Sequence, residues 1–296
     1  MYKRLFSLIF SAALLAGCAH APVPSTAPST APTDPGTQPS DPSAVSTVPT
    51  VQTDPTVPTE PESPSILDFL SIATLPVGRT MYVWGGGWNE ADTGAGPEAT
   101  TLGVSPRWEA FAQAQTSDYD YMDHRYQIHD GLDCSGYVGW AVYNVMEKEN
   151  GRPGYVTSST KLAGFLADRG LGRLLSGDTQ EPFLPGDIVS MPGHCYIVVG
   201  SCADGSVLLL HASPPAVMFS GTTLPDGSES QASRLAEQIM STQYPDHYSR
   251  FPHCARPHSY LTDVTVMRWQ VLADPQGLRQ MDAQQVCALL FSDLGP

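Results

Sequence analysis

From residue 65 onward the apolar positions fall into periodic runs, and before it they do not. ILDFLSIATL, over 66–75, repeats its large apolar side chains at helical spacing and predicts a first helix docked on the core. RTMYVWGGGW is a short strand-like run closed by three glycines. The strongest helix runs from Cys134 to Asn150. Its residues Cys134, Val138, Ala141, Val142 and Val145 form one apolar stripe, with Asp133 at the N-cap position and Gly151 as terminator. After LPGDIVSM, the β-rich runs HCYIVVG and SVLLLHAS are separated by SCADG and predict a hairpin, which AVMFSG continues as sheet. Ala232, Leu235, Ala236 and Ile239 share one face of a helix over 229–241. YLTDVTVMRWQV predicts a further strand. DAQQVCALLF predicts a last helix, with Asp282 and Gln285 spaced as a capping box. Residues 88–130, carrying TSDYDYMDHRY, keep no period and read as a long irregular insertion, a kind of loop that is functional or mobile in compact domains. A helix-first half followed by mainly antiparallel strands argues for the α+β class.

The first 64 residues change the organisation of the chain. Lys3 and Arg4 precede LFSLIFSAALLA, an apolar run too short to span a bilayer, so residues 1–17 read as a signal peptide. The run ends in LAGC, which resembles the bacterial lipobox, and this makes Cys18 the expected lipidation site. Residues 19–64 hold 12 prolines, many Ser and Thr, no aromatic residue and no Lys or Arg. Such a segment buries too little apolar area to offset chain entropy, so 18–64 is expected to be a disordered tether, or a glycosylated stalk of the same composition. The expectation is therefore a protein held by its lipid on the outer face of a bacterial membrane, folded over residues 65–296.

Charge narrows the partners. The chain carries 15 Lys and Arg against 30 Asp and Glu, a net charge of −15, with no basic stripe, which argues against nucleic acid. An acidic surface also repels an anionic membrane face and leaves the lipid as the attachment. Cys195, Cys202, Cys254 and Cys287 are small buried hydrophobes or, outside the cytoplasm, members of two disulfides in three possible pairings. HCARPH, with His253, Cys254 and His258, is a weak metal pattern, and no metal or cofactor is expected.

Cys134 carries the candidate chemistry. Its stripe position makes it a core residue, but it lies in the first helical turn, where the dipole and unpaired N–H groups stabilise a thiolate. A nucleophilic thiol needs a base, and the base an orienting group. His194 opens one strand of the hairpin and His211 closes the other. With a four-residue loop over 202–205, Ser201 pairs with Ser206 and His211 falls opposite Tyr196. His211 then shares a face with His194, within bridging distance of two imidazoles.

DCSGYV, GDIV, GH-x-YIVVG and LLHASP, preceded by YVWGG, together resemble the NlpC-type peptidoglycan endopeptidases of the papain-like superfamily. The resemblance covers about residues 80–215. It implies a papain-like core over 65–220 with the insertion at 88–130, and leaves 221–296 as an extension completing the domain. It makes Cys134 the nucleophile, His194 the base and His211 the orienting residue. Tyr82, Asp133 and Ser135 match positions that line the cleft or hold the stem peptide. The implied activity is that of a monomeric cysteine peptidase cutting peptidoglycan stem peptides after γ-D-glutamate. A CHAP-like wall amidase and a non-catalytic wall-binding lipoprotein are the competing readings; acyltransferase relatives place His before Cys, against the order here. The chain departs from the family in its longer insertion and in Cys195, where a small apolar residue is usual. Tyr119, Tyr121 and Tyr126 of the insertion are candidates for stacking on sugar or peptide.

Overall fold

The computed structural model describes residues 63–175 and 181–292; the expected signal peptide, Cys18 and the tether as far as residue 62 lie outside the described residues. The chain enters its first helix, α1 (Ile66–Thr74), through a capping box. Ser65 Oγ accepts the Asp68 N–H at 3.1 Å, and the Asp68 carboxylate accepts the Ser65 N–H at 2.8 Å. The strand β1 (Met81–Tyr82) follows, then the insertion, β2 (Gly131–Leu132) and the helix α3 (Cys134–Met146).

The insertion is less irregular than its sequence suggests, because it contains a helix, α2 (Pro106–Ala114). Ser105 caps α2 and Pro106 occupies its first turn, a start signal that the weak apolar period of PRWEAFAQA obscures. The stripe on α3 likewise understates that helix. All ten residues from Cys134 to Tyr143 are buried, since α1 covers one side and the insertion another. Trp108 of α2 meets Trp140 edge to face at 6.2 Å between ring centroids, and the Trp140 indole donates to Gly103 O at 3.1 Å. Truncating a tryptophan so placed costs about 3–5 kcal/mol. The helix also stops at Met146, short of Asn150, with Glu147 as C-cap.

A short helix, α4 (Leu162–Asp168), leads into β3 (Gly172–Leu174) and β4 (Ile188–Met191). Then come β5 (His194–Ser201), β6 (Val207–Ser213) and β7 (Ala216–Thr222). The remaining elements are α5 (Gln231–Gln243), α6 (Pro245–Arg250), β8 (Ala255–Arg256), β9 (Thr265–Trp269) and α7 (Ala283–Leu290). One curled sheet runs β2-β1-β7-β6-β5-β4-β9-β3, with β8 beside β7. Its pairs are antiparallel except β1–β2 and β7–β8, so the architecture is α+β. Because β9 sits between β4 and β3, the segment after residue 221 is woven into the sheet.

Both faces of the central strands are covered, which is why HCYIVVG and VLLLHAS are nearly continuous apolar runs. Ile197, Val199, Leu208 and Leu210 face the main core with α3, while Tyr196, Val198, Val207 and Leu209 face a second cluster containing Tyr260 and Leu261. The hairpin differs from expectation by one residue at its tip, where Ser201 opposes Val207. A bulge between Val198 and Gly200 restores the register, so that Ile197 opposes Leu210. Gly200 sits there because a Cβ would strike the backbone of Ala283 in α7. Asp187 of the GDIV motif is structural: its carboxylate takes two hydrogen bonds from Arg268, at 2.9 and 2.8 Å, and fastens β4 to β9. Cys134, Cys195, Cys202, Cys254 and Cys287 are all free thiols, so the two disulfides allowed by composition are not formed.

Candidate active site

The glycines of YVWGGGW bring the loop after β1 against the start of α3. A Cβ on Gly136 would collide with the Gly86 carbonyl, and one on Gly86 with the backbone of Gly131. Trp88 then reaches the helix start, its indole donating to Ser135 Oγ at 3.0 Å. Ser135 in turn donates to Asp133 Oδ1 at 2.9 Å, and the same oxygen accepts the Gly136 N–H at 2.7 Å. Asp133 is therefore the N-cap of α3, an interaction worth about 1 kcal/mol. Burial, followed by the charge on Cys134, pushes its carboxyl up to about 7.

Cys134 begins the helix that this loop holds, and its side chain opens on a cleft of about 640 Å³. Its thiol lies well below the usual cysteine range. A hydrogen bond with the Cys195 thiol is the largest cause. Burial opposes it, and the hydrogen bond to His194, that residue's charge and the Cys195 backbone N–H add to it. Cys195 shifts the other way, raised by burial and then by the neighbouring sulfur, so it stays a donor. Cys195, next to His194 in the chain, thus sets a second thiol beside the first.

His194 Nε2 lies 2.8 Å from His211 Nδ1, which leaves His194 Nδ1 for the sulfur. His211 is fully buried, and its Nε2 lies 3.0 Å from Ser220 Oγ. Burial, then the charges of Arg256 and His194, holds the His211 imidazole well below the usual histidine range. A neutral His211 protonated on Nε2 donates to Ser220 and accepts from His194, which fixes the tautomers along the row Cys134, His194, His211, Ser220.

Residues the sequence reading missed close the outer face of this row. Tyr260 places its ring 5.4 Å from His194, 6.2 Å from His211 and 5.8 Å from Tyr196, all between centroids. Tyr196 Oη donates to Tyr260 O at 2.6 Å and locks the turn that carries it. Arg256, a half-buried cation, lies behind His211 and donates to the carbonyls of His253 and Ala255. Both come from the segment beyond the family motifs, and neither has a local signal in sequence. Ser220 does have one, as the polar position in the apolar strand AVMFSG.

Of the expected cleft residues, Tyr82, Asp133 and Ser135 line the cavity with Cys134. Burial, followed by the charge on Cys134, raises the Tyr82 phenol far above its ordinary range, so it remains a neutral hydroxyl. The three insertion tyrosines separate. Tyr126 lines the cleft that holds Cys134, whereas Tyr119 and Tyr121 line a second one of about 540 Å³ with Pro215 and Phe251. The two clefts adjoin through Tyr82 and Tyr121, whose rings meet at 5.4 Å. In HCARPH, Cys254 is buried and His253 exposed, and no group of three or more metal-ligating side chains occurs among the described residues. No described helix is long and apolar enough to cross a membrane.

Comparison with family models, with curated proteins and with solved structures gives no match to this chain.

Proposed function

We propose that the protein is a cysteine peptidase with a papain-like core of the NlpC type, cutting peptidoglycan stem peptides after γ-D-glutamate. What carries this reading is the hydrogen-bonded row from His194 through His211 to Ser220, set behind an acidified thiol at a helix start that opens on a cleft. A core cysteine needs none of these partners. Cys134 Sγ, as thiolate, attacks the carbonyl carbon, and the negative charge moves to the carbonyl oxygen. There the first-turn N–H groups of α3, which the helix cannot satisfy itself, receive it. The C–N bond then breaks as His194 gives its Nδ1 proton to the leaving amine. Water, deprotonated by His194, attacks the thioester; the C–S bond breaks, releasing the acid and returning the thiolate. Throughout, His211 holds the ring of His194 by accepting from Nε2.

Lipidation at Cys18 would hold this domain on the outer face of the membrane and in reach of the wall. The test is cleavage of purified muropeptides by the wild type and by Cys134→Ala, with products identified by mass spectrometry. New amines on diaminopimelate or lysine, absent with Cys134→Ala, support the reading. Free lactyl-muramyl ends would make the protein an amidase, and binding without cleavage by the wild type a wall-binding module.

A further inference from the structure

Trp84 and Tyr126 line the cleft that holds Cys134, yet 44% and 66% of their surfaces remain exposed. Two large aromatic side chains left in water on one rim mark a contact surface. The pair is also built. The Tyr126 N–H donates to Trp84 O at 3.2 Å, tying the insertion to the YVWGG loop. The Arg125 guanidinium lies 5.3 Å from the Trp84 ring and 5.2 Å from the Tyr126 ring, and donates to Tyr126 Oη at 3.3 Å. Tyr126 itself is held at φ +66°, a conformation that costs a bulky residue about 1–3 kcal/mol. Folding alone favours Gly or Asn there, since an exposed ring returns little burial energy. Beyond its contacts with Arg125, the exposed ring is open to a partner outside the fold.

The rest of the cleft says what. Asn89, Glu90 and Asp92 line it together with Asp133, with no Lys or Arg among the described lining residues; Arg125, a cation at the rim, is engaged with the two rings. Carboxylates repel phosphate and other anions. An uncharged polyol fits: pyranose C–H bonds stack on aromatic faces, and hydroxyls donate to carboxylates. We infer that Trp84 and Tyr126 form a saccharide-stacking subsite, which receives the glycan end of a stem peptide still joined to its strand. This rests on the hydrolase reading above: Tyr82, Asp133 and Ser135, which the resemblance assigns to the cleft and the stem peptide, line the same cleft and are taken here to face the N-terminal side of the stem. The sugar joined to that N-terminus then falls on the two rings. The substrate is polymeric wall or its glycan-bearing fragments, in preference to free peptide.

The experiment compares two substrates with one stem peptide, the first carrying the N-acetylglucosaminyl-N-acetylmuramyl disaccharide at its N-terminus and the second only an acetyl group. Wild type, Trp84→Ala and Tyr126→Gly are assayed; glycine accepts the backbone conformation at 126, so that variant keeps its fold. The disaccharide substrate should win by tenfold or more in kcat/KM for the wild type, and the ratio should fall toward one in each variant. Equal rates in the wild type, or a preference kept by both variants, overturn the subsite. Calorimetric titration of Cys134→Ala with the peptide-free disaccharide, its lactyl carboxyl capped as the methylamide so that it stays uncharged, separates the two readings. Binding that Tyr126→Gly abolishes, with no cleavage by the wild type, leaves the subsite standing and removes the hydrolase. Cleavage of both substrates without disaccharide binding does the reverse.

Discussion

His247 makes this fold sensitive to acid. It lies on α6 with 3% of its surface exposed, its ring 5.1 Å from that of Phe251, and neither ring nitrogen has a hydrogen-bond partner among the described residues. Burial, and then the charge of Arg250, lowers it from 6.5 to about 4. The unfolded chain therefore takes up this proton near pH 6.5, and the native state only near pH 4. The stability tied to a neutral His247 is complete above about pH 6.5, falls as pH drops toward 4, and is gone below it. The difference corresponds to about 3 kcal/mol, a large share of the ~5–15 kcal/mol of an ordinary domain. His247→Phe keeps the ring and removes the titration. Urea unfolding of both proteins at pH 7.5, 6, 5 and 4, followed by tryptophan fluorescence, measures the gap between them. His211, depressed in the same direction, titrates in both and cancels. The gap should widen by about 3 kcal/mol in favour of His247→Phe between pH 7.5 and 4. A gap that stays constant within about 0.5 kcal/mol would refute the reasoning. The effect should extend to the insertion, because Arg250 on the same helix donates to Ala112 O and Gln115 O at 2.9 and 2.7 Å.

Two further outcomes concern the thiol and its proposed base. Cys195→Ala removes the largest contribution to the acidity of Cys134, and should move the midpoint of the pH profile of its alkylation by iodoacetamide upward by about 0.7 pH unit, the worth of a hydrogen bond of about 1 kcal/mol. An unchanged pH profile of alkylation would reduce Cys195 to a packing residue. His194→Ala should abolish turnover of muropeptides, whereas His211→Asn should retain part of it, because the Asn side-chain oxygen can still accept from His194 Nε2. Equal loss in the two variants would mean that His211 takes part in the proton transfers themselves.

What the sequence determined by itself is local. Cys134 behind Asp133 at a helix start, the hairpin that sets His194 beside His211, and the α5 and α7 helices all follow from periodicity, caps and turn residues that act over a few positions. Even there the tip of the hairpin was one residue out, since the bulge that corrects it answers to α7, more than 80 residues further on. Tertiary structure decided whatever depends on distant segments meeting. It buried α3 on every side by laying the insertion over a face that no stripe marks. It put the Cys195 thiol on Cys134, since strand alternation alone turns Cys195 away from His194. It brought Tyr260 and Arg256 behind the histidines, and divided Tyr126 from Tyr119 and Tyr121 between two clefts. Periodicity records which side of an element is buried. Which residues, far away in the chain, do the burying is fixed only when loop closure and packing are satisfied together, and the chemistry of this cleft depends on that pairing.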